Sequence, residues 1–312
     1  MVEGFCAVRK GKRVIFLADE ISGEARDRIA DAVVRVTSAK QLTSTRRWRG
    51  RSGKLSVVRA RLEGAWVVVR RFTHGGILGG ILPEITFGRS RILRELHVVN
   101  WAREREVPTP RIVATSLQSW FGPLCRAHVI TEEVSGACNM TEFFLRLPSF
   151  SDEQAAAHKR AAVEAVARAI ATMHAAGILH GDLHLRNVLV RMTSAAADKS
   201  DPSARSRVRA EGYLLDFDRA RIVRNATRGQ RLANLRRLMR SVWKVQPARD
   251  QFALRDAIVF LRAYLGTSER GEVERWVKEL SRPPWLHRLW WAVPKGARDE
   301  RAIPGEEGTD EP

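Results

Sequence analysis

The sequence predicts an α+β chain of two lobes, a small β-rich lobe over residues 46–134 and a mainly helical lobe over 135–293. Three observations predict it. Short β-branched runs separated by turn residues fill the first half, from Leu55-Ser56-Val57-Val58 to Val129-Ile130-Thr131. Helical periodicity takes over after Gly136, and its longest capped segment covers 152–176. At 312 residues with 44% hydrophobic content, the chain is long enough for two lobes that share a cleft.

Each element has its local reason. Residues 1–45 read as an extension ahead of the first lobe. Leu55-Ser56-Val57-Val58 and Trp66-Val67-Val68-Val69 are strands joined at Glu63-Gly64, a turn pair. Gly50 and Gly53 precede the first of them, where a loop covering phosphates would lie; a plain loop is the other reading. Ile92, Leu96 and Val99 share one face of a helix over 89–102. Val107-Pro108-Thr109-Pro110 ends it and leads into a strand at Arg111–Thr115. The strand Val129–Val134 stops at Ser135-Gly136, where the chain passes into the second lobe.

There, Ser151-x-x-Gln154 opens the long helix as a capping box and Gly177 closes it, with Val163, Val166, Ile170 and Met173 as the buried stripe. Residues 193–210, rich in Ser, Ala and Arg, read as a mobile insertion between strands at Val188–Val190 and Tyr213–Leu215. Helices follow at about 230–243 and 251–265, and the Gly/Pro/acid-rich segment 294–312 reads as a disordered tail.

The chemistry concentrates in two short strings. His180-Gly181-Asp182-Leu183-His184-Leu185-Arg186-Asn187 has the spacing H-x-D-L-x-x-x-N, and Leu214-Leu215-Asp216-Phe217-Asp218 follows about 30 residues later. Phosphoryl transfer needs a group to orient the attacking hydroxyl and oxygen ligands to hold Mg²⁺ against the phosphates of ATP. Asp182, poised by His180, suits the first task; Asn187 and Asp216 suit the second. A turn between helix and strand is the plain reading of the loop alone, and the acidic strand at the right distance argues against it. The order is that of a protein-kinase-like fold. Arg70 then stands where such a fold places its phosphate-pairing lysine, and Glu95 on the next helix is its orienting partner. A surface arginine beside Arg71 is the alternative.

Val68-Val69-Arg70-Arg71-Phe72-x-x-Gly75-Gly76, Arg91-x-x-x-Glu95, Val107-Pro108-x-Pro110, Ile130-Thr131-Glu132, His180-Gly181-Asp182-Leu183, Asp216-Phe217-Asp218-Arg219-Ala220-Arg221 and Asn234-Leu235-x-Arg237-Leu238-x-Arg240-Ser241 occur in that order. Over about 48–245 the chain thus resembles the 3-deoxy-D-manno-octulosonic acid (Kdo) kinases, eukaryotic-like kinases of the lipopolysaccharide kinase family of Gram-negative bacteria. The resemblance implies transfer of the ATP γ-phosphate to the 4-hydroxyl of a Kdo residue on a lipid A precursor, at the cytoplasmic face of the inner membrane. It implies Asp182 as catalytic base, Asn187 and Asp216 as Mg²⁺ ligands, and Glu132 among the nucleotide contacts. The family loop usually reads H-x-D-L-N-x-x-N; His184 in place of that Asn contacts substrate or simply satisfies the loop backbone.

Charge points the same way. Lys and Arg total 54 against 35 Asp and Glu, a formal +19, which favours polyanions: nucleic acid, an anionic membrane surface or a phosphorylated substrate. Residues 219–244 hold nine basic residues and no acid, directly after the Asp216 strand, so Arg237 and Arg240 are expected to meet substrate anions. No stacking-aromatic motif accompanies the arginines, so nucleic acid is not expected. Trp285, Trp290 and Trp291 sit among basic residues and suit either a bilayer interface or the helical core. There is no run of roughly 18 apolar residues and no secretory signal pattern, so a peripheral cytosolic-side protein is expected. Cys6, Cys125 and Cys138 are odd in number and scattered, so they read as reduced structural thiols. A kinase for another acceptor (a heptose, a small molecule or a protein) and a catalytically silent kinase-fold module remain the competing readings. No A-P-E segment follows Asp216-Phe217-Asp218, which argues against a protein acceptor.

Overall fold

A computed structural model describes residues 2–38, 48–49, 55–72, 86–87, 89–121, 124–194 and 208–281. Gly50, Gly53, the Trp285–Trp291 segment and the 294–312 tail lie outside the described residues.

The first lobe is built on an eight-stranded sheet. Its strands in chain order are β1 (Phe5–Lys10), β2 (Arg13–Ala18), β3 (Trp48–Arg49), β4 (Leu55–Leu62), β5 (Ala65–Arg71), β6 (Thr86–Phe87), β7 (Ile112–Phe121) and β8 (Leu124–Glu132). In space they run β1-β2-β7-β8-β5-β4-β3, with β6 on β8. The β4–β5 connection is the expected two-residue turn: Glu63 and Gly64 both take positive φ, 47° and 86°, the primed geometry that matches strand twist.

Helix α1 (Gly23–Thr37) covers the outer face of this sheet, where Ile15, Leu17, Val67, Val69 and Ile130 pack. Helix α2 (Arg89–Glu104) covers the inner face, and the predicted stripe of Ile92, Leu96 and Val99 is buried there. Strand alternation therefore does functional sorting: Val67 and Val69 point out under α1, and Arg70 points inward toward α2.

Residues 5–18 are not an appendage to this lobe. The decisive fact is pairing: β2 aligns antiparallel with β7, from Arg13 opposite Gln118 to Leu17 opposite Ala114. The expected extension thus supplies two strands and a helix, because β7 runs on to Phe121, well past the predicted Thr115, and would otherwise leave an unpaired edge.

The second lobe is mainly helical. Strand β9 (Ala137–Asn139) and helix α3 (Met140–Arg146) follow the hinge, then the long helix α4 (Asp152–Ala175). Its Ser151 side chain accepts from the Gln154 N–H at 3.4 Å, and Gly177 at φ 74° turns the chain out of it. All four predicted stripe residues are buried. Strands β10 (Ile178–Leu179), β11 (Val188–Ser194), β12 (Val208–Leu214) and β13 (Arg221–Ile222) carry the two motifs. Strands β11 and β12 pair from Val188 opposite Leu214 to Ser194 opposite Val208, so both ends of the expected 193–210 insertion are strand. Antiparallel pairing extends each strand as far as its partner continues.

Helices α5 (Arg228–Lys244), α6 (Gln246–Gln251), α7 (Leu254–Leu265) and α8 (Arg270–Ser281) complete the lobe. Helix α5 opens on a capping box in which Thr227 and Gln230 each satisfy the other's backbone N–H. On α7, Leu261 is buried, whereas Leu254 remains 40% exposed despite its place in the apolar spacing. Among the described residues, no helix is long and apolar enough to cross a membrane.

Candidate active site

The loop 180–187 is fixed from beneath before it presents anything to the cleft. The His180 ring is fully buried. Its Nε2 donates to the Leu215 carbonyl at 2.8 Å, and its Nδ1 accepts the Asp182 N–H at 3.1 Å. One donor and one acceptor define a neutral imidazole, and burial, which outweighs its neighbours, holds its pKa below the ordinary value. With both nitrogens spent on backbone, His180 does not reach a substrate. It ties the loop to the Asp216 strand.

Helix α5 provides the second anchor. Asn234 Oδ1 accepts the His180 N–H at 2.8 Å, and Ser241 Oγ accepts the Leu185 N–H at 3.1 Å. Those two residues are seven apart, two helical turns, so one face of α5 serves both ends of the loop. Asn234 Oδ1 also receives His174 Nε2 at 3.4 Å, and His174 Nδ1 meets the Tyr264 hydroxyl at 2.8 Å. Burial drives the His174 pKa down to about 4, so this ring too is neutral.

Gly181 is required by packing. A Cβ there would stand 2.1 Å from the carbonyl oxygen of Arg219, so only glycine lets the loop lie against the Asp216-Phe217-Asp218-Arg219 turn.

On this platform the Asp182 carboxylate is 42% exposed. Arg237, also on α5, places Nη1 3.9 Å from its Oδ1, and His184 places Nε2 3.8 Å from its Oδ2. His184 Nδ1 meanwhile accepts the Arg186 N–H at 3.2 Å, capping the short 3₁₀ turn Leu185–Asn187. The structure shows the backbone reading of His184: one nitrogen satisfies the loop, and the other faces the carboxylate. Arg240 is exposed on α5 and, among the described residues, forms no ion pair; the fold brings Arg237 to the loop and not Arg240.

Asn187 is buried, and its Nδ2 donates to the Asp182 carbonyl at 3.0 Å, so Oδ1 is the atom it could offer to a metal. Asp216 adopts left-handed backbone geometry (φ 64°, ψ 69°), a strained state for a residue with a Cβ. Its Oδ1 is buried with no hydrogen-bond partner and lies 3.2 Å from Arg70 Nη1. A buried carboxylate oxygen that lacks a hydrogen bond, beside an amide oxygen held free, is a donor set of the hard-oxygen kind that suits Mg²⁺.

Arg70 and Glu95 form an ion pair at the inner face of the sheet. Burial is the largest influence on each and opposes both charges. On Arg70 it is outweighed by Glu95 and Asp216, and the guanidinium is held above its ordinary range. On Glu95 it prevails over the attraction of Arg70, and the carboxyl rises to about 7. The guanidinium keeps its charge throughout, so the contact becomes fully ionic on the alkaline side of neutrality.

One turn earlier on α2, Arg91 makes a two-pronged pair with Asp218, which is itself buried. Helix α2 thus reaches both halves of the site, Glu95 to Arg70 and Arg91 to Asp218. The signal for that second pair in the sequence is the four-residue spacing of Arg91 and Glu95, which puts them on one helix face. Glu132 is engaged elsewhere: its carboxylate pairs with Arg111, and its N–H donates to the Arg111 carbonyl at 2.9 Å. A cavity of about 620 Å³ lies behind α2, lined by Trp101, Arg105, Thr172, Ile222, Val223 and Arg224, and contains none of these site residues.

Two lobes, an α2 helix clamped to both sides of the cleft and a buttressed acidic loop define a phosphotransferase that acts on an alcohol group. The chain belongs to the lipopolysaccharide kinase (Kdo/WaaP) family, matched over residues 37–264. It is 27% identical over 251 residues to a 3-deoxy-D-manno-octulosonic acid kinase of Stenotrophomonas maltophilia (strain K279a), spanning 79% of this chain and 90% of the relative. It is 28% identical over 201 residues to the enzyme of that name from Xanthomonas euvesicatoria pv. vesicatoria (strain 85-10), covering 60% of this chain and 69% of the relative. A solved structure, WaaP in complex with acyl carrier protein, superposes with a TM-score of 0.52 at 20% identity, covering 88% of this chain and 96% of that one; it bears on the fold alone. The family's kinase chemistry implies ATP as phosphoryl donor, usually with Mg²⁺.

Proposed function

We propose that this kinase transfers the γ-phosphoryl group of ATP to the 4-hydroxyl of a Kdo residue on a lipid A precursor, acting as a peripheral protein at the cytoplasmic face of the inner membrane. The observation that carries the reading is the pairing of an exposed Asp182 carboxylate with Arg237 on a loop buttressed from below. An acceptor hydroxyl needs a base, and an acceptor rich in carboxylate and phosphate needs a guanidinium beside that base. Relatives named as Kdo kinases support the acceptor.

In this mechanism Asp182 orients the acceptor hydroxyl and takes up its proton as the phosphoryl group arrives. Arg237 neutralises anionic charge next to it, and Arg240 widens the same basic face toward the glycolipid. Arg70, held by Glu95, neutralises the nucleotide phosphates. Asn187 and Asp216 would hold Mg²⁺, which when bound screens the phosphate oxygens and fixes their geometry. His180 acts through the loop as a positioning residue. Gly50 and Gly53 stand in the proposal as the phosphate-covering loop, and Glu132 as the hinge position next to the nucleotide.

The test is phosphate transfer from γ-labelled ATP, assayed in parallel on a Kdo-bearing lipid A precursor, heptosylated lipid A and casein. Label on the Kdo residue in wild type, lost in Asp182→Ala, is the expected result. Label confined to heptose or casein would reassign the acceptor. No Asp182-dependent label on any of them would remove the proposal.

A further inference from the structure

A gap lies beside the Asp182 carboxylate. Neither of its oxygens receives a hydrogen bond among the described residues: Arg237 Nη1 stops 3.9 Å from Oδ1, and His184 Nε2 stops 3.8 Å from Oδ2. Hydrogen bonds from N–H to oxygen form at about 2.7–3.2 Å, so both donors stand off from the carboxylate. Arg237 is a long side chain reaching in from α5 and can close its gap. His184 belongs to the loop and is held at two points. Its backbone carbonyl accepts the Asn187 N–H at 2.8 Å, and its Nδ1 accepts the Arg186 N–H at 3.2 Å.

The Nδ1 contact also fixes the proton. A ring nitrogen that accepts carries no hydrogen, so the hydrogen of this imidazole sits on Nε2, the nitrogen that faces Asp182. The loop thus sets an acceptor, Oδ2, and a donor, Nε2–H, side by side 3.8 Å apart. A single hydroxyl oxygen bonded to both would subtend roughly 80–90° between them, well inside the tetrahedral angle its proton and lone pairs favour. The donor would also draw on the lone pair that has to attack phosphorus. Two oxygens on adjacent carbons avoid both penalties: one donates to Oδ2 and reacts, and its neighbour accepts from Nε2–H.

We propose that His184 is a specificity-determining residue that selects a vicinal diol: the hydroxyl to be phosphorylated donates to Asp182 Oδ2, and the oxygen on the adjacent carbon accepts the His184 Nε2–H. This role rests on the sugar acceptor of the proposed function, and it identifies a second atom of that sugar that the loop reads. In the transfer, a bond forms between the first oxygen and the γ-phosphorus as the bond from that phosphorus to the β,γ-bridging oxygen breaks. The hydroxyl proton passes to Asp182, and ADP leaves; His184 exchanges no proton. An asparagine at this position, as in the pattern H-x-D-L-N-x-x-N, carries an oxygen where histidine carries Nδ1 and so retains an acceptor for the Arg186 N–H, but it has no atom at the place of Nε2. The second contact therefore belongs to the histidine of this chain.

Two substitutions divide the imidazole. His184→Asn keeps the loop contact without the reach, and His184→Gln keeps an N–H at the place of Nε2 without the loop contact. Both are compared with wild type in steady-state kinetics on a Kdo-bearing lipid A precursor and on its 5-deoxy analogue, which lacks the oxygen next to the 4-hydroxyl; melting temperature and ATP affinity are measured alongside. Wild type should lose about ten-fold in kcat/KM on the analogue. His184→Asn should melt and bind ATP like wild type, fall about ten-fold on the full acceptor and fall no further on the analogue. His184→Gln should melt lower yet still tell the two acceptors apart. A wild type indifferent to the 5-hydroxyl, or an asparagine variant that discriminates as wild type does, would overturn the assignment. Label on heptose in the parallel assay removes the Kdo reading alone and moves the same comparison to the heptose and its deoxy analogue. Label confined to casein, whose hydroxyls are isolated, overturns the vicinal diol as well.

Discussion

Replacing Asn234 with alanine removes a support that never touches substrate, and its cost follows from the geometry. The His180 N–H is donated to Asn234 Oδ1 at 2.8 Å by a residue with no solvent exposure. Orphaning a buried donor costs about 1–3 kcal/mol. The His174 Nε2 contact is longer, at 3.4 Å, and adds about 0.5–1 kcal/mol. The sum, roughly 1.5–4 kcal/mol, is a large share of a typical folding stability of about 5–15 kcal/mol and leaves the protein folded. Urea denaturation should show the midpoint falling without a change of slope. Because the freed loop carries Asp182, kcat should also fall, by about ten- to a hundred-fold, with ATP affinity little changed. Asn234→Asp retains the accepting oxygen and should recover most of both losses, while its new charge raises the His174 pKa from about 4. An alanine variant as stable and active as wild type, or an aspartate variant as impaired as the alanine, would refute the buttress.

Asp182→Ala should leave nucleotide affinity near wild type and reduce kcat by about 10²–10⁴-fold in a single-turnover assay. Asp216→Asn should abolish the Mg²⁺ dependence of nucleotide binding in a thermal-shift titration, because the orphaned Oδ1 loses its charge. Gly181→Ala should cost activity and stability together, measured by calorimetry and turnover, since its Cβ would meet the Arg219 carbonyl at 2.1 Å. Stability should also fall on acidification: His128 and His174 are depressed by burial to about 3 and about 4, so below pH 6.5 the unfolded chain takes up protons that the folded one refuses. Each histidine contributes a slope of up to about 1.4 kcal/mol per pH unit between 6.5 and its folded value, and Glu95, raised by burial to about 7, opposes them between 4.5 and 7. Denaturation midpoints across that range should show the fall, steepened in Glu95→Gln.

Local pattern was enough for the elements and for the order of the chemistry. The Glu63-Gly64 hairpin, the α2 stripe of Ile92, Leu96 and Val99, and the capped helix ending at Gly177 were legible because each depends on residues within a turn or two of one another. Less legible were strand lengths: β7 and β11 run further than their β-branched cores because a partner strand, invisible to a local reading, continues beside them. The same cause drew residues 5–18 into the sheet. Spacing places His180 beside Asp182 but cannot reveal which way its ring points, and only the fold shows it as a buried brace.

The amino-acid order determined which groups exist: a base, two metal-type oxygens, a phosphate-pairing cation and a basic helix, strung along the chain in kinase sequence. Tertiary structure alone decided which of them meet. It brought Arg91 to Asp218 across 127 positions, set Arg237 and not Arg240 beside Asp182, and turned Arg70 and Arg71 to opposite faces of one sheet. The physical reason is that side-chain type is a local property, whereas burial, register and helix facing arise only when distant segments exclude water together.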